Sequence, residues 1–419
     1  MTTVNAERIA AIKTFLESRW DGFLAQFEEM VRINSFSFNP NGVNALGRCT
    51  AKMFEPLGFS AEFIQARDSR LGQHLVLRRS GPTPRIGLVS HLDTVFPAEE
   101  ELRNSFAWRP EGDRIYGPGT VDIKGGTIVA LMTLAALEAV FPECFARVDW
   151  RVLLNAGEEI LAPDFGELAL RELGGSGLAA LVFETGVETG PSGTNSWLLV
   201  TSRKGRMTFS VEASGRGAHA GSSHAKGANA IHQLARAVPA VEAITDYARQ
   251  RTCTVSMIRG GEAVNRVPHQ ARLTGEMRAF EEEVLAEGKA MLLAVESLPA
   301  VTSVQDGFAS SLTVGVDEEQ PPWPENAHTN RLFEIWRAAG QGMGMTIEGQ
   351  ARSALSDANL IWRAVPTIDG LGPAGDNLHC SERSADATKD QEYVVPSSMI
   401  PKATLNCLAI VRLIEQTLK

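Results

Sequence analysis

Along the chain, short runs of β-branched and apolar residues repeatedly end in a polar cluster and are followed by segments of helical spacing. That alternation predicts an α/β domain with a largely parallel sheet. Four runs stand out: IGLVSHLD over 86–93, WRVLLNAGEE over 150–159, LAALVFETG over 178–186 and VPTIDGLGP over 365–373. Each places polar residues at or just past its carboxyl end, the edge at which open α/β sheets bind ligands. Between the first two runs lies GGTIVALMTLAALEAVF, 125–141, apolar nearly all round. It predicts a helix packed deeply against the sheet.

From about Thr201 the pattern changes. A strand RMTFSVEAS is followed by a helix around AKGANAIHQLARAV, strands near CTVSMIRG and ARLTGEMRAF, a helix FEEEVLAEGKAMLLAVES and a last β-like stretch. This is a βαββαβ order, a compact two-layer α+β unit of ferredoxin-like type. The segment PPWPENAHTN, 321–330, reads as a loop and helix start that returns the chain to the first domain. The expected organisation is therefore one domain over 1–201 and 319–419 with a second inserted over 202–318. A length of 419 residues agrees, since it exceeds what one hydrophobic core usually organises.

Composition narrows the partners. The net charge of −10, with basic residues only in short clusters such as Arg78–Arg79, argues against nucleic acid or an anionic bilayer. Most of the carboxylates are expected on a solvated surface. Five cysteines, Cys49, Cys144, Cys253, Cys380 and Cys407, form no CxxC pair, which argues against a disulfide framework or a thiolate metal site and fits a reducing cytosol. The amino-terminal MTTVNAERIAAIKTFLESRW has acidic residues among helically spaced apolar ones, unlike a signal peptide, and no stretch approaches a membrane span. A cytoplasmic placement is expected.

The strand ends carry the candidate chemistry. In HLD, His91 and Asp93 share one face of an extended backbone, which suits a metal-bound imidazole and a carboxylate that fixes its tautomer; a surface pair is the alternative. Asp122 lies in the glycine-rich YGPGTVDIKGG before the buried helix, as a ligand or simply a helix cap. Glu158 and Glu159 follow an apolar run, and two carboxylates in one confined site repel unless a cation or proton intervenes. Glu184 in VFETG and His379 in GDNLHC complete the set. Singly each is weak; together, five metal-suited residues converge on one edge of one sheet. Two Zn²⁺ would also be balanced by Asp122, Glu159, Glu184 and a bridging hydroxide, leaving a roughly neutral cluster. GRGAHA, 215–220, formally satisfies the dinucleotide fingerprint, but no alternating parallel strands follow it. His74, His224, His232, His269 and His328 belong to no motif.

The ordered set HLD, GxxDIKGG, GEE, ETG and GxxxHC, with an α+β unit inserted before the last His, resembles the dinuclear-zinc metallopeptidases. That family includes folate-cleaving glutamate carboxypeptidase, aminoacylases, succinyl-diaminopimelate desuccinylase and peptidase T, and the likeness is greatest to glutamate carboxypeptidase. The resemblance implies that His91 and Glu184 bind one zinc, Glu159 and His379 the other, and that Asp122 bridges both. It implies Glu158 as general base, a cis peptide after Asp122, and Co²⁺ or Mn²⁺ as possible substitutes for zinc. It makes the inserted unit a dimerisation and lid domain of a homodimer, with His219, Asn265 and Arg278 contacting the substrate. The substrate class implied is a small dipeptide, N-acyl amino acid or glutamate conjugate cut at an amide bond beside a free carboxylate. A metal-stabilised dimer that binds such molecules without cutting them is the alternative. The chain departs from the family pattern in ILAPDFGELAL after Glu159, in RSALSDANL without its usual double Gly, and in the insertion SERSADATKDQ. Each of these bears on substrate specificity and none removes a proposed ligand.

Overall fold

The computed structural model describes residues 2–189, 196–386 and 388–417. The chain divides into two compact units, one of Met1–Thr201, Glu325–Gln350 and Ser356–Lys419, the other of Ser202–Pro324 with Ala351–Leu355.

The first unit is built on a six-stranded sheet. Its centre is parallel: strand Arg85–His91 lies between Asp149–Asn155 and Gly177–Val182, and the short strand Thr367–Ile368 pairs with the last of these. All seven residues of Asp149–Asn155 are buried, as are the last six of Arg85–His91, because both faces of the sheet are covered. Two antiparallel strands, Ser60–Gln65 and Gln73–Arg79, extend one side and were not singled out in the sequence. Of the run over 365–373, only Thr367–Ile368 joins the ladder; the remainder is loop.

Helix Lys124–Val140 is buried along thirteen of its seventeen positions, as its uniformly apolar composition predicts. Its glycines have a packing reason. A Cβ at Gly126 would lie 2.0 Å from the Phe183 carbonyl oxygen, so only glycine lets the first helical turn rest on the end of the neighbouring strand. Helices Thr2–Ser18 and Met399–Thr417 pack against the same helix.

The second unit has strand order Thr252–Gly260, Gln270–Ala279, Gly205–Ser214, Ser311–Gln320, all antiparallel. Helices Ala230–Glu242 and Glu282–Leu293 complete the βαββαβ order. The first begins later than its apolar spacing suggested, because the Asn229 side chain caps it by accepting from His232 N–H. GRGAHA is loop and a two-residue strand well before that helix, so it lacks the strand–turn–helix context of a dinucleotide site.

Candidate metal centre

His91 is the last residue of its strand, beside Asn155 in the parallel ladder. Its Nδ1 lies 3.0 Å from the Asp93 carbonyl oxygen. A carbonyl only accepts, so Nδ1 carries the proton and Nε2 is directed into the site. Nε2 is 3.1 Å from Asp122 Oδ1 and 3.8 Å from Glu184 Oε1. The Asp93 carboxylate was expected on Nδ1, yet its oxygen is 3.5 Å away. The main-chain carbonyl is the nearer partner because the carboxylate is engaged elsewhere.

Asp93 Oδ2 accepts from Ser37 Oγ at 2.7 Å and from Glu159 N at 3.3 Å, while Oδ1 accepts from Glu158 N at 3.0 Å. The Asn155 side chain accepts from Gly157 N at 2.9 Å and donates to Asp357 at 2.8 Å. Ala156 N donates to His74 Nδ1 at 3.1 Å. Four successive backbone N–H groups, from Ala156 to Glu159, are thus accepted by side chains, which fixes the turn bearing both glutamates without any regular secondary structure.

Asp122 stands between the two imidazoles. Its Oδ1 faces His91 and its Oδ2 lies 3.3 Å from His379 Nε2, which is also 3.1 Å from Glu159 Oε2. The backbone N–H groups of Val121 and Asp122 donate to Glu392 Oε1 at 3.0 and 3.2 Å, and the Asp122–Ile123 peptide is cis. His379 has φ +63°, a left-handed conformation uncommon in a residue with a Cβ. The following strap is tied where Glu392 N donates to Cys380 O at 2.8 Å.

The cluster favours positive charge. Hydrogen bonds to Asp122 and Glu159 raise His379 to about 10. Burial pushes His91 down, but the Asp122 hydrogen bond and the charges of Glu158 and Glu184 carry it well above its ordinary value. Burial and the Asp122 charge push Glu159 up to about 7. Burial likewise lifts Glu158 well above the usual carboxylate range, with Glu184 and Asp357 adding to the rise against His91. Asp122 is the exception: burial opposes its ionisation, yet hydrogen bonds from both imidazoles hold it below the ordinary range. Ligand atoms of His91, Asp122 and Glu159 all lie within 4.8 Å of one another. Imidazole nitrogens with crowded carboxylates are the donor set of Zn²⁺, Co²⁺ or Mn²⁺, so the residues present fit a divalent metal centre.

The other three candidates lie on the second unit. His219 pairs with Arg266 in a two-strand ribbon, and its Nδ1 accepts from Gly221 N and Ser222 N at 3.1 and 3.2 Å. The Asn265 carbonyl accepts from Ala220 N at 2.9 Å, so these two residues share one ribbon. Arg278, on strand Gln270–Ala279, is gripped by Glu276 through Nε at 2.8 Å and Nη2 at 3.1 Å, and Nη1 donates to Ser353 O at 2.9 Å.

Residues that sequence reasoning passed over are those that hold the site: Ser37, His74, Asn155, Asp357 and Glu392. Asn155 and Asp357 were within reach, lying in the NAGEE and SDA segments of the sequence. His74 and Ser37 have no local signal, since each meets its partner only across the fold.

Residues 201–295 match a family model described as a peptidase dimerisation domain. Carboxypeptidase G2 of Pseudomonas sp. is 27% identical over 380 residues, covering 90% of this chain and 85% of that protein. A tripeptidase structure from Staphylococcus aureus superposes with a TM-score of 0.72 at 20% identity, covering 94% of this chain and 98% of the other. A Bacillus subtilis structure described as a dinuclear metal-binding peptidase of the M20 family gives 0.65 at 12% identity, covering 95% and 99%. The chain thus carries a segment matching the peptidase dimerisation domain, is similar to carboxypeptidase G2 along most of its length, and shares its fold with peptidases that include an M20 family member.

Proposed function

We propose that this protein is a zinc-dependent hydrolase that cleaves the amide bond beside a free carboxylate in a small dipeptide, N-acyl amino acid or glutamate conjugate. The observation that carries the reading is Asp122, whose two oxygens face different imidazoles, His91 and His379. In this reading His91 and Glu184 would hold one ion, Glu159 and His379 would hold the second, and Asp122 would serve both. When bound, such ions supply Lewis acidity that polarises the scissile carbonyl and lets water attack near neutral pH.

The chain's own residues supply the rest. Glu158 takes a proton from the attacking water and returns it to the departing amine, which otherwise leaves as too strong a base. Burial raises its proton affinity, which suits a group that must take up a proton and then return it. Asp93 fixes the turn that aims Glu158. His219 would stabilise the oxyanion, and Arg278 with Asn265 would hold the substrate carboxylate, a task to which a planar guanidinium is suited. Homodimerisation through the inserted unit is supported by the matched dimerisation domain. A cytoplasmic setting fits five free cysteines, and no helix among the described residues is long and apolar enough to cross a membrane.

The test is a panel of dipeptides, N-acyl amino acids and folyl-glutamates incubated with zinc-loaded protein and with Glu158→Gln. Turnover by the native chain, lowered about 10²–10⁴-fold in a variant that retains its zinc, is expected. Saturable binding of panel members without cleavage would establish the non-catalytic alternative instead.

A further inference from the structure

We infer that His74 is a positioning residue for the turn that carries Glu158 and Glu159, acting by accepting the Ala156 backbone N–H on its Nδ1. Its consequence for catalysis rests on the hydrolase reading above; its consequence for metal binding does not require turnover.

His74 is the second residue of strand Gln73–Arg79, and the register places its neighbour Leu75 opposite Leu154, so the imidazole is set beside the end of the Asn155 strand. The ring is 1% exposed. Nδ1 lies 3.1 Å from Ala156 N, and because a backbone amide only donates, Nδ1 must be the unprotonated nitrogen. Nε2 therefore carries the proton and donates to Asp164 Oδ2 at 3.2 Å. The same oxygen accepts from Arg67 N at 2.7 Å, and the Phe165 ring, 5.4 Å away centre to centre, limits rotation of the imidazole. Asp164 fixes the tautomer much as a carboxylate fixes a metal-bound imidazole. Burial also holds His74 below its ordinary value, against the pull of Asp164 and Asp93, which keeps the acceptor available.

The position of this bond gives it leverage. Of the four acceptor atoms that fix 156–159, that of Asn155 comes from the residue just before the segment and the two of Asp93 serve the last two amides from the His91 side. His74 reaches the first amide from the neighbouring strand. Without it the first amide of the turn loses its acceptor, and the hold on Glu158 and Glu159 falls to Asp93, Asn155 and the main-chain bonds that Leu161 and Ala162 donate. A ring of ordinary packing value would need neither nitrogen engaged; this one has both engaged, each in the role only one tautomer allows.

Three substitutions separate positioning from packing. His74→Phe keeps the ring and removes both bonds. His74→Asn places an amide oxygen near the Nδ1 position and keeps the acceptor for Ala156. His74→Gln reaches toward Asp164 and gives up that acceptor. Zinc affinity is read by chelator competition on each folded variant, and kcat and KM on whichever panel substrate the native chain cleaves. His74→Phe and His74→Gln should lose about 10–100-fold in zinc affinity and kcat, the usual effect of removing an orienting partner, with KM within about threefold. His74→Asn should recover most of both. If Phe does not fold, the Asn and Gln pair still decides. Zinc affinity within about twofold of native in the Phe and Gln variants, or Asn indistinguishable from Gln, overturns the inference. Absence of turnover in the native chain counts against the hydrolase reading alone, because the zinc comparison stands without it.

Discussion

Removing the Asp93 carboxylate should damage stability and catalysis by separable amounts. Asp93 is 1% exposed and accepts from Ser37 Oγ, Glu158 N and Glu159 N. In Asp93→Ala those donors are left buried, and water has little room to replace the lost oxygens. Each orphaned donor costs about 1–3 kcal/mol; two adjacent amides relax together, so the sum is roughly 2–6 kcal/mol. Asp93→Asn keeps one accepting oxygen but sets an NH₂ against a backbone N–H, and should cost roughly half as much. Urea unfolding of chelator-treated protein, followed by tryptophan fluorescence, measures this directly, since Trp150 is fully buried in the adjoining strand. The turn should also loosen, and a displacement of about 1 Å in Glu158 is enough to lower kcat by about 10²-fold in the zinc-loaded enzyme. An alanine variant within about 1 kcal/mol of native would show that these bonds contribute little to folding. A destabilised variant with native kcat per zinc-loaded molecule would refute the claim that Asp93 aims the base.

Three further outcomes follow from particular residues. Chelation should abolish hydrolysis and lower the melting temperature, and a free ion at about 100 times its Kd should restore about 2.7 kcal/mol; unchanged melting on metal addition would exclude the proposed centre. Hydrogen bonds from Arg78 hold Glu172 below the usual carboxylate range, and those from Arg85 and Arg151 hold Asp149 there against burial. A folded pKa below the unfolded one, about 4.3 for Glu, stabilises above that value and loses the gain as pH falls through the folded pKa; the stability gap between native and Glu172→Gln should therefore be flat at pH 6–8, as about two units above it, and close in acid. A gap that widens in acid would reverse the sign. Arg278→Ala should raise KM about 10–100-fold for substrates with a free carboxylate, the loss of a charged hydrogen bond, and hardly alter it for their methyl esters; equal effects on both would remove Arg278 from carboxylate recognition.

The fold was legible where burial is uniform. The three central strands and helix Lys124–Val140 are continuous apolar runs because the fold covers them on every side. The flanking strand Gln73–Arg79 escaped notice: its sequence QHLVLRR mixes a buried histidine with a basic end, and Arg78 is explained by Glu62 on the neighbouring strand and by Glu172, 94 positions away. The same distinction runs through the site. His91, Asp122, Glu159 and His379 stand in short motifs and are linked in a chain of close contacts, His91 to Asp122, Asp122 to His379 and His379 to Glu159. The carboxylate of Asp93 was assigned to the imidazole because spacing in HLD puts the two on one face, but spacing does not reveal that two amides, 65 and 66 positions on, claim its oxygens. Donors and acceptors that meet across the fold leave no period in the sequence.

The site's charges and its scaffold answer one another. Burial pushes Glu159 and Asp357 up to about 7 and Glu392 to about 8. For each, a folded pKa above the unfolded value means that ionisation opposes folding, increasingly as pH rises from about 4 through the folded pKa. Such groups persist only if the surrounding structure over-determines their positions, and here it does: Asp357 is held by Asn155, Glu392 by two amides, and Glu159 by the turn that Asp93 and His74 fix. In the proposed reading a divalent cation would turn Glu159 into a ligand while Asp357 and Glu392 support the ligand-bearing segments, so that metal affinity and folding stability would draw on one set of contacts. A substitution that loosens the turn without touching a ligand should accordingly weaken both together, whereas one that only trims the apolar core should lower stability and leave the metal affinity of the folded chain unchanged.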